Sequence, residues 1–360
     1  MKSRPLPLLA LFVVGFGLTA LAQPPAKPTR IPGAAQPQLA VASDGRVWLA
    51  YGKGTEVFVA RSDDSGATFG APSSIATLPK LALGMRRGPR IAAKGDEVTV
   101  TLIADELVAY HSSDGGKSWR DAKTINEVPT SAREGLHDLA ASPDGRLFLT
   151  WLDLRNGKTE LWGAESLDAG KTWGKNQQVY RSPDVSICEC CHPTALFDGE
   201  GNLAIMWRNS IGGSRDMWMA TRARGAGEFA PAKKLGEGTW NLNACPMDGG
   251  KIVALGGGNF GAVWQRAGEV FYVPAKGPEV LIGKGKQPVA ITQGAESLVL
   301  WQQDADLMSM RGIGKGEPAK RATDARYAVV VSLPGNRGTL LAYEQGPAKE
   351  KQPGIVVERL

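Results

Sequence analysis

Three of the four cysteines in this chain fall within four positions, in the stretch ICECCHP at 187–193, and the fourth is Cys245 in NACPMDGG at 243–250. Two chemistries are open to such a set. Cys188, Cys190, Cys191 and Cys245 can pair as disulfides, Cys191 or Cys190 with Cys245 and the remaining two in a small local loop. Alternatively the four sulfurs, with His192 and Met247 beside them, form a soft metal site, suited to copper(I), or to zinc(II) if four ligands stand tetrahedrally. The CxCC spacing is not that of a known zinc module. The choice depends on the compartment and on the element that brings the two segments together.

The compartment is legible at the N-terminus. Lys2 and Arg4 precede an apolar run from Leu6 to Leu21, and Ala20-Leu21-Ala22 offers a small-x-small cleavage site. Residues 1–22 read as a secretory signal peptide cut after Ala22, and residues 23–36 as a Pro-rich tail that can also supply a closing strand. The run is shorter than the ~20 apolar residues of a spanning helix, so no membrane span is expected. Export, to the periplasm or beyond the cell, means oxidising surroundings, where paired cysteines become disulfides unless a metal holds them. Removing Lys2 and Arg4 takes the formal charge from +6 to +4 (6 − 2), and the remaining bases are spread among almost as many acids. That distribution argues against nucleic acid as a partner.

The positioning element is a repeat. SDDSGATF (62–69), SSDGGKSW (112–119) and SLDAGKTW (166–173) share the pattern Ser-x-Asp-x-Gly-x-x-aromatic. In a tight hairpin the Asp accepts from backbone N–H groups, the Gly takes positive φ and the aromatic packs beneath. Around these motifs runs a longer unit of short strands and Gly-rich turns, starting at Pro37, Pro89, His137, Pro193, Pro246, Pro288 and Val329. Seven such units predict an all-β chain, a single β-propeller domain over 37–360 made of four-stranded blades. Seven blades fit better than six, although the fifth unit is irregular. The seventh has three strands of its own, so the N-terminal TRIPG segment is the candidate to complete it.

The Asp motifs and their place in a propeller resemble the Asp-box, or BNR, repeats of the sialidase superfamily, over nearly all of the chain after the leader. Tyr327 opens YAVVVSLPGNRGTLLAYE, which is similar to the sialidase segment that begins with the nucleophilic Tyr. CxCC with NACPMDGG further resembles a subset of exported bacterial sialidase-like proteins. The family's Arg-Ile/Leu-Pro motif has a counterpart in Arg30-Ile31-Pro32, but this precedes the strand read as innermost. The resemblance implies a retaining exo-α-sialidase type of reaction: a Tyr nucleophile deprotonated by a Glu, an Asp as acid and base, and guanidinium groups for a substrate carboxylate. On this chain the catalytic candidates are Tyr327, Glu134 and Asp138.

Strand alternation puts the DG turns and Asp motifs on one face of the disc. The loops leading into the first strands, and those joining second to third strands, reach the other face. There Arg87, Arg133, Arg155, Arg208, Arg215 and Arg326 are the candidates for binding an anion or sugar, in the funnel that also receives the cysteines. Two functions follow: an exported propeller binding a soft metal or an anionic glycan in that funnel, or a glycosidase acting through Tyr327. Partners are accordingly a small molecule, a glycan or a metal ion.

Overall fold

The computed structural model describes residues 27–360 apart from 185, 294, 295, 314, 336 and 348; the expected signal peptide at 1–22 lies outside them. Among the described residues the strands form seven four-stranded antiparallel sheets, and helix is limited to one turn at Ile211–Gly213. The first strands of these sheets are Ala35–Val41, Arg90–Lys94, His137–Ala141, Thr194–Phe197, Lys251–Gly256, Lys286–Gln293 and Ala325–Ser332. They neighbour one another in that order, and the last returns to the first. This is a seven-bladed β-propeller. Its blades are numbered here from the N-terminus, and the fifth is as regular as the rest, with strands Lys251–Gly256, Asn259–Arg266, Glu269–Val273 and Val280–Lys284.

Alternation along each strand sends one set of side chains towards the preceding blade and the other towards the following one. The core is therefore a series of slabs between blades. Trp151, Trp207, Trp264 and Trp301, on the second strands of blades 3 to 6, are each fully buried against the blade before. Truncating any one costs about 3–5 kcal/mol.

The blade starts differ slightly from those expected, for a reason common to three of them. Blades 1, 6 and 7 begin two to four residues earlier, and each first strand carries an irregular register, between Ala35 and Gln38, Lys286 and Val289, and Arg326 and Val329. At each irregularity a non-glycine residue takes positive φ: Gln36 at 54°, Gln287 at 55° and Tyr327 at 52°. Pro37 and Pro288 follow, at bulge positions where a missing N–H is tolerated. Blade 5 begins at Lys251, later than Pro246, since residues 246–250 form a loop. The fourth strand of blade 7 is Thr29–Ile31, antiparallel to Ile355–Arg359 with Thr29 opposite Val357. Arg30 consequently lies on an outer strand.

The Asp hairpins have the expected geometry. Asp64 accepts from Ser62 Oγ at 2.7 Å, Thr68 N at 2.9 Å and Thr68 Oγ1 at 2.6 Å, while Gly66 N donates to Ser62 Oγ at 2.8 Å. Asp114 and Asp168 repeat the arrangement with Ser112/Ser118 and Ser166/Thr172. These bonds are internal to the hairpins, which stand at the opposite end of the first strands from the cysteines.

Candidate functional site

The CxCC segment leads into the first strand of blade 4, at the face away from the Asp hairpins. Ile187 bridges Asn209 and Cys188 N donates to Arg208 O at 3.0 Å, so the segment is fastened to the end of that blade's second strand. The chain then turns sharply, and Cys188, Cys190 and Cys191 point their sulfurs at one another. Cys188 Sγ lies 3.5 Å from Cys190 Sγ and 3.3 Å from Cys191 Sγ, and all three fall within 4.8 Å of each other. Met247, from the loop before blade 5, packs against the trio. All four cysteines are free thiols: three are buried and Cys245 is exposed. The inter-blade disulfide expected from the sequence is not supported, because the close sulfur contacts are within the trio and exceed the ~2.05 Å of an S–S bond. Cys245 is nonetheless near enough to Cys190 to act on its proton.

Packing raises the thiols' proton affinities. Cys188 is pushed up to about 12, chiefly by its contact with Cys190, and Cys191 to about 12, chiefly by burial. Cys190 is drawn down by Cys188 but raised on balance by Cys191, burial and Cys245. Without a cation the trio is thus held protonated.

His192 does not join the sulfurs. Its Nδ1 accepts from Gly249 N at 3.2 Å and its Nε2 donates to Gly250 O at 3.2 Å, which fixes the neutral tautomer. Burial, then the charges of Arg86, Arg90 and Lys251, hold its pKa far below the usual value. The ring clips blade 4 to blade 5. Gly249 is required opposite it, because a Cβ there would stand 1.8 Å from His192 O.

Five of the six arginines expected at an anion site donate to local partners. Arg208, fully buried, donates to Asp248 O at 3.0 Å, Arg215 O at 2.6 Å and Gln265 O at 2.8 Å. Arg155 pairs with Asp153 at 2.9 Å and stacks 3.6 Å from the Trp162 ring centre. Arg326 pairs with Glu344 at 3.0 Å, and Arg87 donates to Glu134 O at 2.7 Å. Arg133 is exposed and donates to Thr130 O at 3.3 Å, and Arg215 Nε is buried with no partner among the described residues.

On the axis a cavity of about 560 Å³ is lined by the first strands. Arg86 spans its mouth, donating from the loop before blade 2 to Gln287 Oε1 (2.8 Å) and Gln287 O (3.3 Å) of blade 6 and to Ala328 O (2.9 Å) of blade 7. Burial brings its pKa down to about 10, with Asp248 resisting. Below it Asp138 faces Arg90 at 3.4 Å and Lys251 at 3.5 Å and accepts from Ala195 N at 3.0 Å.

Tyr327 lies beside this plug, with the Arg86 guanidinium 5.7 Å from its ring centre. Its pKa is raised, first by burial and then by Glu344. Glu344 is the nearby carboxylate, and both its oxygens are engaged: Oε1 by Gln36 N and Nε2 at 2.9 and 2.8 Å, Oε2 by Arg326. Among the described residues no hydrogen bond joins the Tyr327 hydroxyl to a Glu. Glu134 offers its main-chain oxygen to Arg87.

Arg90, Asp248, Lys251, Gln36 and Gln287 were not singled out from the sequence. Gln-Pro stands at the bulges at 36–37 and 287–288, but it also occurs at 23–24 and 352–353, so the dipeptide alone did not mark them.

No family model and no curated protein matches the chain. Similar solved structures include YCF48 bound to D1 peptide (13% identity, TM-score 0.55, 95% of this chain and 97% of that one). The ulvan lyase of polysaccharide lyase family PL25 has 10% identity and a TM-score of 0.57, over 92% and 96% of the two chains. A Penicillium chrysogenum α-L-arabinanase complexed with arabinobiose has 14% identity and a TM-score of 0.50, over 93% and 96%. The Hadza microbial sialidase Hz136 matches at 10% identity with a TM-score of 0.49, over 91% of this chain and 66% of that one. At these identities the likeness is one of fold, and the chain is similar to a set of propellers whose members include carbohydrate-acting enzymes.

Proposed function

We propose that this chain is an exported propeller that binds one soft d¹⁰ metal ion, copper(I) in preference to zinc(II), through the thiolates of Cys188, Cys190 and Cys191. The observation that carries it is the convergence of three buried sulfurs, with contacts of 3.3 and 3.5 Å. An ion with bonds of about 2.3 Å separates its sulfurs by roughly 3.8 Å in a tetrahedron and roughly 4.0 Å in a plane. The two contacts of Cys188 would lengthen by about 0.3 to 0.7 Å. The donor set favours copper(I): the imidazole that would make a fourth zinc ligand is bonded at both nitrogens, while a thioether packs alongside.

Charge supports the same reading. Arg208 is buried with three neutral carbonyls and, among the described residues, no ion pair, yet it acts on Cys191. Three thiolates around a monovalent ion carry a net −2, which supplies the counter-charge. Titration of the reduced protein with copper(I) against a chromophoric chelator tests this, with one ion retained per chain and the ion lost in Cys188→Ser. Equal affinity for wild type and variant would dismiss it, and a mature N-terminus at Gln23 would establish the export step.

A second reading, an exo-α-sialidase type of glycosidase, rests on Tyr327 lying between Arg86 and Glu344. It requires Glu344 to leave Gln36 or Arg326 and take the phenolic proton. Hydrolysis of a fluorogenic sialoside by wild type and not by Tyr327→Phe would establish it, and inactivity of both would count against it for that substrate. The anion-binding role of Arg87, Arg133, Arg155, Arg208 and Arg326 likewise requires them to leave their present partners, whereas the buried Arg215 Nε has none to leave among the described residues.

A further inference from the structure

Arg86 closes the axial cavity at the cysteine face, and burial falls along the first strands towards the Asp hairpins. Gln36, Arg90, Asp138 and Gln287 are buried at one end, whereas Lys94, Ala141, Leu255 and Ser332 are exposed at the other. The cavity is thus a well that opens among the hairpins, about 10 Å deep from Asp138 to Ala141 at ~3.3 Å per residue. Its volume of about 560 Å³ is that of a small-molecule site. The wall is aliphatic, formed by Val41, Leu139, Leu196, Ile252, Ile291 and Val331, and no Phe, Tyr or Trp is among the lining residues.

The floor is cationic. Arg90 and Lys251 share Asp138, the one carboxylate in the lining, at 3.4 and 3.5 Å. Arg86 adds a third cation and donates to neutral oxygens of Gln287 and Ala328. Behind it Asp248 accepts from Gln287 N at 2.6 Å, while Glu344 has Arg326 as its own partner. Three cations therefore face two carboxylates, and one positive charge is left over inside aliphatic walls, where it calls for a counter-charge. The Lys251 side chain keeps 34% exposure, so solvent reaches the floor. Thr194 opens the first strand of blade 4 as Lys251 opens that of blade 5; its Oγ1 is buried with no hydrogen-bond partner among the described residues.

We infer that the well is a second binding site, separate from the sulfurs, for an amphipathic monoanion: a carboxylate on a short aliphatic chain, its head at Lys251 on the floor and its chain along the wall towards the hairpins. An inorganic anion would leave the wall bare, and a sugar would find neither an aromatic platform nor a polar wall.

The test is calorimetric titration of the metal-free full chain with sodium octanoate, octan-1-ol and sodium acetate. Octanoate is expected to bind one per chain, roughly tenfold or more tighter than either of the others, since the alcohol lacks the charge and acetate lacks the chain. Lys251→Met should weaken octanoate binding roughly tenfold or more. Ala141→Trp, at the exposed rim, should obstruct the well and weaken it similarly while the melting temperature stays that of the wild type. Octanol binding as tightly as octanoate would overturn the role of the floor, and acetate doing so the role of the wall. Octanoate binding unchanged in both variants, or absent from the wild type, would overturn the site itself.

Discussion

Replacing Arg208 separates the two things its guanidinium does. In Arg208→Met three buried carbonyls, of Asp248, Arg215 and Gln265, lose a donor. Stranding each costs about 1–3 kcal/mol, and the guanidinium's own desolvation, several kcal/mol, is recovered, leaving a net loss of about 3 kcal/mol. With an unfolding entropy near 0.75 kcal/mol/K for 360 residues, the metal-free protein should melt about 4 °C lower. Arg208→Lys keeps the charge but not the fork, so its melting point should fall by a similar amount. Copper affinity should divide the two variants. The Arg208 charge favours the Cys191 thiolate, so Arg208→Met should weaken binding measurably and by more than Arg208→Lys, which keeps the charge. Differential scanning fluorimetry and chelator competition supply both numbers. Equal loss of affinity in the two variants would refute the charge argument, and unchanged melting in Arg208→Met would refute the assignment of the three bonds.

Asp64→Ala should cost about 1 kcal/mol at neutral pH by removing the bonds from Ser62 and Thr68. Burial pushes the Asp64 carboxyl up, but the Thr68 and Ser62 bonds pull it below 3.8 on balance. Its contribution is thus complete above that value and lost as the pH falls through the lower folded value, so urea denaturation of wild type and variant should converge only in strong acid. His192→Asn should lower the melting temperature, by breaking the clip to Gly249 and Gly250, while copper affinity stays within about threefold; a tenfold weakening would make His192 a ligand. Alkylation of the native metal-free protein should label Cys245 alone at early times and all four thiols after unfolding, as read by intact mass. Early labelling of the trio would contradict its burial.

The fold was legible because its signals are local and repeated. Ser-x-Asp-x-Gly-x-x-aromatic specifies a hairpin wherever it occurs, and three copies establish the period. The bulges were less so: Gln36 and Gln287 share a dipeptide, but Tyr327 takes the same backbone place with Ala328 after it, and a bulge owes as much to the neighbouring blade as to its own residues. At the site, the strand alternation correctly brings both cysteine segments to one face. It does not say how side chains turn. Arg155, Arg208 and Arg326 come to that face yet each finds a carboxylate or carbonyl nearby, so position alone did not predict a shared ligand. His192 was indistinguishable from a metal ligand in sequence, because its partners, Gly249 N and Gly250 O, are main-chain atoms. The inter-blade disulfide, from Cys191 or Cys190 to Cys245, is likewise not supported: the tight turn at 188–191 brings the three sulfurs of Cys188, Cys190 and Cys191 together.

X-ray absorption at the copper edge of the copper(I)-loaded mature chain tests the central claim most directly. The account predicts one copper per chain in a shell of sulfur from Cys188, Cys190 and Cys191, with no imidazole, and that shell disrupted in Cys188→Ser. A first shell of nitrogen or oxygen, or a spectrum unchanged by Cys188→Ser, would contradict it.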